Sequence, residues 1–272
     1  MNSVKSLYVT FDLWETLIFD DPKNDEARGR MRYEGLQTAL ADYGIRLDKE
    51  DLRRGYEESG SKFQVVWDRN EEVSIIDQIA LIVELGSRRR IIIEPPSVQS
   101  LEAAYVDPIL SIPPKLHADA TGVLEAVRDR GYRIGLISNT GRSPGYALRK
   151  LLDDYGVLRF FDTTVFSNEV KRRKPDRAIF DCAVRMLKAE NAAVVHIGDN
   201  PEADYWGAKN AGMQAILLDQ TPPNSSQWPP HSLFALARAN RRVNASGIDP
   251  HLRIGSLKQA VDLLDSLSSR TP

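Results

Sequence analysis

The chain has 272 residues, with 36 Lys and Arg against 38 Asp and Glu and a formal net charge of −2. That length can bury a substantial core and hold a main domain plus an inserted one, and the balanced charge favours neither nucleic acid nor an anionic membrane. A single cysteine, Cys182, excludes an internal disulfide framework and a Cys-rich metal site. The first six residues lack the apolar region of a signal peptide, and no run of roughly 18 apolar residues suits a membrane span. A soluble, cytoplasmic protein is expected.

Residues 6–11 form an apolar, β-branched and aromatic run that stops at a carboxylate, Asp12. Further strand-like runs follow at 133–137, 161–166, 193–197 and 214–218. Helical patterns separate them: 119–130 with Val123, Leu124 and Val127 on one face, 144–155 with Leu148, Leu151 and Leu152, and 176–188. Short, near-continuous apolar strands alternating with helices predict an α/β fold, a Rossmann-like parallel sheet covered on both faces. The gap after the first strand is too long for one crossover helix, so residues 18–114 are expected to form an inserted α-helical cap, with 1–17 and 115–272 as the core.

Within the insertion, Arg28–Tyr43, Lys49–Trp67, Glu72–Leu85 and Ser97–Leu110 carry helical spacing. Pro95-Pro96 is expected to separate the third helix from the fourth, and Pro113-Pro114 to mark the return to the core. Arg88-Arg89-Arg90 reads as a solvated helix end. Tyr33, Tyr56, Trp67, Arg28, Arg32 and Arg53 have the composition of a ligand wall, but read first as ordinary packing and surface residues. Residues 221–247 are a Pro-rich loop insertion, functional or disordered at that length, before a final amphipathic helix, Leu257–Leu267. No internal repeat is apparent.

Four chemical elements each follow a predicted strand. Asp12, with Thr16 four residues on, is ionised at neutral pH and suited to nucleophilic attack. Ser138-Asn139-Thr140 offers a hydroxyl, an amide and turn backbone to an oxyanion. Lys174, before Pro175, can neutralise a phosphoryl group and the nucleophile together. Asp199 and Asp204, beside the Gly198 turn, suit a hard cation such as Mg²⁺. Taken singly, each is also an ordinary turn, loop or helix cap. Their order and shared placement at strand ends give the pattern its weight.

With these motifs the chain resembles the haloacid dehalogenase superfamily of aspartate-nucleophile hydrolases, across nearly everything outside 18–114 and 221–247. The resemblance implies a helical cap over the active site, with Asp12 as nucleophile and Thr16 as its support. Ser138 and Asn139 would bind the transferred group, and Lys174 would stabilise it. Asp199 would ligate Mg²⁺ with Asp12 and the Trp14 main-chain carbonyl, and Asp204 would complete or orient that shell.

One position departs from the pattern. Phosphatases of the superfamily carry aspartate at Trp14, where it protonates the leaving oxygen, a contribution worth roughly 10²–10⁴-fold. The dehalogenase branch has an aromatic residue there, since halide leaves without a proton, but it typically lacks the acidic Gly-Asp pair and carries tyrosine at Phe180. An empty site would set Asp199 and Asp204 against each other and against Asp12. The leading expectation is therefore a Mg²⁺-dependent phosphatase-type hydrolase of a small organic phosphate with an impaired general acid. A 2-haloacid dehalogenase and a weakly active ligand-binding or scaffolding protein are the alternatives. Glu15 either replaces the missing acid, or is a solvent-facing turn residue or partner of a cap arginine. Trp14 either lines a substrate pocket or plugs the space under the cap.

Overall fold

The computed structural model describes residues 7–89, 95–190, 192–220, 227–229, 231–240 and 247–268. Strand β1 (Tyr8–Phe11) leads through a tight turn to β2 (Ile18–Phe19). Five helices follow: α1 (Pro22–Asp42), α2 (Lys49–Trp67), α3 (Ile75–Ser87), α4 (Pro95–Val106) and the single turn α5 (Pro108–Ser111). The chain returns through β3 (Lys115–Leu116), antiparallel to β2. It then alternates α6 (Ala120–Asp129), β4 (Arg133–Ser138), α7 (Gly145–Asp154), β5 (Thr163–Phe166), α8 (Ser167–Val170), α9 (Arg177–Leu187), β6 (Val194–Gly198), α10 (Gly207–Asn210) and β7 (Gln214–Leu218). After β7 come α11 (Leu233–Asn240), β8 (Arg253–Ile254) and α12 (Gln259–Ser268).

The main sheet has the order β5-β4-β1-β6-β7-β8, and every pairing in it is parallel. The chain builds outward from β1 to β4 and β5, then crosses back to place β6 on the other side of β1. That reversal opens a crevice at the carboxyl ends of the central strands. Register aligns the ends: Phe11 lies opposite Leu136 of β4 and Ile197 of β6. The residues that follow β1 and β6 therefore emerge side by side.

The helical faces read from the sequence are the buried ones. Val123, Leu124 and Val127 of α6 pack on one face of the sheet with Leu148, Leu151 and Leu152 of α7 and Leu264 of α12. Ile179, Phe180, Ala183 and Leu187 of α9 cover the other face. The inserted helices have their own apolar centre, built from Leu40, Leu52, Ile82, Val83 and Leu101. Two glycines let α2 and α3 touch at backbone distance: a Cβ on Gly55 would lie 2.2 Å from the Ile82 carbonyl oxygen, and one on Gly86 2.7 Å from that of Asp51.

Several boundaries differ from expectation. The third inserted helix starts at Ile75, because Ser74 caps it and its hydroxyl accepts from the Asp77 N–H. Pro95-Pro96 opens α4 instead of breaking the chain before it, since proline is well suited to a first turn. Pro108 ends the helix early and starts α5. The strand expected at 161–166 begins at Thr163, after a tight turn over Leu158–Phe160. Arg88 terminates α3 in the left-handed conformation, while Arg90 lies outside the described residues, as do 221–226 and 241–246. The segment read as a Pro-rich loop contains α11, which packs against α2. No helix among the described residues is long and apolar enough to cross a membrane.

Candidate active site

Asp12 is the first residue beyond β1, tied to the sheet by its N–H donating to Ile197 O at 2.9 Å. One carboxylate oxygen accepts from Lys174 Nζ at 2.5 Å and the other from the Thr16 hydroxyl at 3.3 Å. Lys174 Nζ also stands 2.6 Å from Asp204 Oδ1 and donates to Ile137 O at 2.8 Å. One ammonium therefore holds two acids that follow the neighbouring strands β1 and β6.

The loop that carries Lys174 is held by Asn139. The Asn139 side chain accepts from the Lys174 N–H at 2.7 Å and donates to the Lys174 carbonyl at 3.0 Å. Asn139 thus positions the lysine. Ser138 is fully buried, donates to the Asn139 carbonyl at 3.2 Å and is not on the cavity wall. The sequence signal marked a strand end correctly, while the side chains there support the loop.

Asp204 sits in the short π-helical segment Pro201–Trp206 that follows β6. Its Oδ2 accepts from the Asn200 N–H at 2.9 Å, and its Oδ1 faces His196 Nε2 at 3.2 Å as well as Lys174. Gly198 makes this possible: a Cβ there would lie 2.4 Å from Asp204 Cγ. Asp12, Asp199 and Asp204 bring carboxylate oxygens within 4.8 Å of one another. Three hard oxygen donors against one ammonium leave excess negative charge, and that donor set fits Mg²⁺.

Burial pushes the Asp12 carboxyl up to about 6, against the pull of Lys174. Burial also opposes ionisation of Asp204, but Lys174 and the His196 hydrogen bond prevail and hold its carboxyl well below the usual range. For Lys174 burial disfavours the charge, and the two aspartates outweigh it and raise its pKa. Burial depresses His196, which is therefore neutral near pH 7. With its proton on Nε2, it donates to Asp204 while Nδ1 accepts from the Thr10 hydroxyl at 2.9 Å. Sequence reading missed His196; its signal was a lone titratable residue inside an otherwise apolar strand.

A cavity of about 830 Å³ opens above these groups, between the sheet and the inserted helices. Trp14, Glu15, Asn139, Lys174 and Asp199 face it together with Asp12. Glu15 is buried, at 3% exposure and with φ of 60°, so it is not a solvent-facing turn residue. Trp14 is half-buried, its ring edge-on to Phe234 with centroids 5.5 Å apart, and Phe234 stacks on Trp228 at 4.4 Å. The segment around α11 is thus a wall of the site, fixed to the inserted helices by the Ser232 hydroxyl donating to Asp25 at 3.1 Å.

The residues expected to be packing positions, Arg28, Arg32, Tyr33, Arg53, Tyr56 and Trp67, all line this cavity. Arg28 pairs with Asp20, and Arg173 stacks 4.3 Å over the Trp67 ring while pairing with Glu72. Arg32 and Arg142 cross between the two layers: Arg32 Nη2 donates to the Ser143 hydroxyl at 3.2 Å, and Arg142 Nη1 donates to the Tyr105 hydroxyl at 2.8 Å.

Comparison with known proteins agrees with this arrangement. Residues 8–212 match the model of the haloacid dehalogenase-like hydrolase family. The chain is 36% identical over 217 residues to the glyceraldehyde 3-phosphate phosphatase of Methanothermobacter thermautotrophicus, covering 78% of this chain and 84% of that one. It is 26% identical over 258 residues to the pyrimidine 5'-nucleotidase YjjG of Escherichia coli, covering 94% and 97%. In fold it is similar to the crystal structure of a 2-haloacid dehalogenase from Pseudomonas syringae pv. Tomato DC3000, with a TM-score of 0.61, 20% identity and coverage of 97% and 99%. Strand order, the acid at the end of β1 and the family match converge, and the chain belongs to the haloacid dehalogenase-like hydrolases.

Proposed function

We propose that this hydrolase is a Mg²⁺-dependent phosphatase that acts on small organic phosphates through an aspartyl-phosphate at Asp12. The observation that carries the reading is the convergence of Asp12, Asp199 and Asp204 around a single lysine at the mouth of the cavity. Two relatives are named for phosphate-ester substrates, which supports the same class.

Asp12 attacks phosphorus, the bond to the ester oxygen breaks, and that oxygen departs with a proton or as an anion. Water then attacks the aspartyl-phosphate, releases phosphate and restores the carboxylate. Lys174 offsets charge on the nucleophile and the incoming phosphoryl group. Thr16 fixes the second Asp12 oxygen, and Asn139 and Asp204 keep Lys174 in place. Asp12, Asp199 and the Trp14 carbonyl would hold the cation, with Asp204 orienting that shell. Bound there, Mg²⁺ supplies positive charge to the transferring phosphoryl oxygens.

A 2-haloacid dehalogenase is the second reading, favoured by the aromatic surface of Trp14 and Phe234 on the cavity wall. Against it stands the cost of keeping three carboxylates together without a cation. A weakly active binding protein would keep the metal and lose turnover. The test is phosphate release from aryl phosphates with added Mg²⁺, beside halide release from 2-chloropropionate without metal. Asp12→Asn keeps the shape and removes the anionic nucleophile, so it should abolish phosphate release in a protein that still folds. Equal turnover by Asp12→Asn, or halide release in its place, defeats the proposal.

A further inference from the structure

Arg32 and Arg142 are 3% and 6% exposed, and both line the active-site cavity. Arg32 donates from Nε to the Tyr105 carbonyl at 3.0 Å, from Nη1 to the Tyr56 hydroxyl at 3.1 Å and from Nη2 to the Ser143 hydroxyl. Arg142 donates to the Tyr105 hydroxyl, and from Nη2 to the Tyr56 carbonyl and the Ser59 hydroxyl, both at 3.0 Å. Its guanidinium lies 3.9 Å over the Tyr56 ring. Every one of these acceptors is neutral.

Buried charges are ordinarily paired with an opposite charge, because hydrogen bonds alone do not cancel the cost of taking an ion out of water. The other buried cations of this wall obey the rule: Arg28 has Asp20, Arg173 has Glu72, and Lys174 has Asp12 and Asp204. Among the described residues no carboxylate lies within ion-pair distance of Arg32 or Arg142. Asp25 is the acid that acts on Arg142 through space, and it is already engaged by Arg28 at 3.5 Å. Two like charges that share Tyr56 and Tyr105 thus await an anion, and the cavity is where one can enter.

We infer that the cavity takes a phosphate ester bearing a second anionic group, a carboxylate, bound between Arg32 and Arg142 while the phosphoryl group lies at Asp12. This rests on the phosphatase reading and names the substrate class for it. The donor count favours a carboxylate: each guanidinium has five N–H groups and commits three, leaving two apiece, and a carboxylate offers about four acceptor positions. Tyr56, Tyr105, Ser59 and Ser143 hold both forks in place before the ligand arrives, which limits the ordering cost of binding.

The experiment compares 3- and 4-carboxyphenyl phosphate with the corresponding carbamoylphenyl phosphates, which match them in shape and lack the charge. The parent should prefer a carboxylated ester by at least about thirtyfold in kcat/KM, mostly through KM. Arg32→Gln and Arg142→Gln should bring the ratio close to one, and Arg32→Lys and Arg142→Lys should retain part of it. Residues that merely tie the two layers together would change both esters alike and leave the ratio intact, which overturns the inference. Should a glutamine variant fail to fold, the parent ratio and the lysine variants decide. Equal kcat/KM for acid and amide in the parent overturns the carboxylate subsite while leaving the phosphatase reading standing. Silence with every aryl phosphate defeats both.

Discussion

Thr10 and His196 face each other across the β1–β6 register, and the Thr10 hydroxyl lies 2.9 Å from His196 Nδ1. Neither residue reaches the cavity, but the imidazole passes the constraint on: its Nε2 meets the Asp204 oxygen that also contacts Lys174. His196→Leu should therefore cost about 1–3 kcal/mol of stability, from the Thr10 hydroxyl left unpaired and the Asp204 oxygen left to Lys174 alone. It should also lower kcat by roughly tenfold as Lys174 loses a fixed partner. Thr10→Val should show the same pattern more weakly. Denaturant melts beside single-substrate kinetics check this, and a His196→Leu protein equal to the parent in both would reduce the pair to core packing.

That network shows where sequence reading stops. Asp12, Asn139 and Asp199 were visible because each closely follows an apolar run of a buried strand, and parallel strand ends gather on one edge. Lys174 lies past α8 in a charged stretch and was marked by its order among the other motifs. His196 was hidden because its partners, Thr10 and Asp204, meet it only once β1 and β6 pair. Arg32 and Arg142 lay in different layers, 110 positions apart in sequence, without a shared motif. The helix within 221–247 was masked by its prolines and its short length, and β8 and the β2–β3 ribbon are only two residues per strand. Ser138, marked by its residue type, is fully buried and its hydroxyl donates to the Asn139 carbonyl.

Asp20, at the start of the inserted helices, pairs with Arg28, and burial raises its carboxyl to about 6. Asp12 is raised to about the same value. Between about pH 4 and 6 the unfolded chain releases these protons while the folded chain keeps them. Stability therefore falls as pH rises through that window, by up to about 3 kcal/mol per group. Asp204, shifted the other way, contributes stability that is lost only as pH falls below the ordinary carboxylate range. Asp20→Asn mimics the protonated carboxyl and leaves Arg28 with Asp25 at 3.5 Å, so it should be at least as stable as the parent near pH 7, and its pH slope between 4 and 6 should be about half that of the parent. Melting temperatures in metal-free buffers across the window test this; an unchanged slope would mean Asp20 is ionised in both states.

The acid cluster predicts a measurable cation site. Metal-stripped protein should bind Mg²⁺ in calorimetry and gain thermal stability by mass action, about 2.7 kcal/mol when the ion is a hundredfold above its dissociation constant. Asp199→Ala should remove most of the binding heat while leaving the fold intact, since Asp199 is half-buried at the cavity edge. No heat and no stabilisation at saturating Mg²⁺ would favour the metal-free dehalogenase reading.

The Trp14 indole N–H is far too weak an acid to protonate a leaving oxygen, and Lys174 is engaged by Asp12 and Asp204. Phosphate release should therefore depend steeply on leaving-group acidity. Aryl and acyl phosphates should turn over, and alkyl phosphates of sugars should react slowly, because an alkoxide needs a proton in the transition state. Trp14→Asp should rescue alkyl esters selectively by about tenfold or more. It also removes the ring that packs on Phe234, a loss of aromatic contact worth about 0.5–1.5 kcal/mol beyond its buried area. The measurement is kcat/KM across a graded series of phosphate esters for parent and variant. A flat dependence in the parent would identify another donor, and Glu15, buried beside Trp14 on the same cavity wall, is placed to be that donor. Glu15→Gln would then restore the steep dependence by slowing alkyl esters while sparing aryl ones. If it slows both equally, Glu15 supports the turn that delivers Asp12 and transfers no proton.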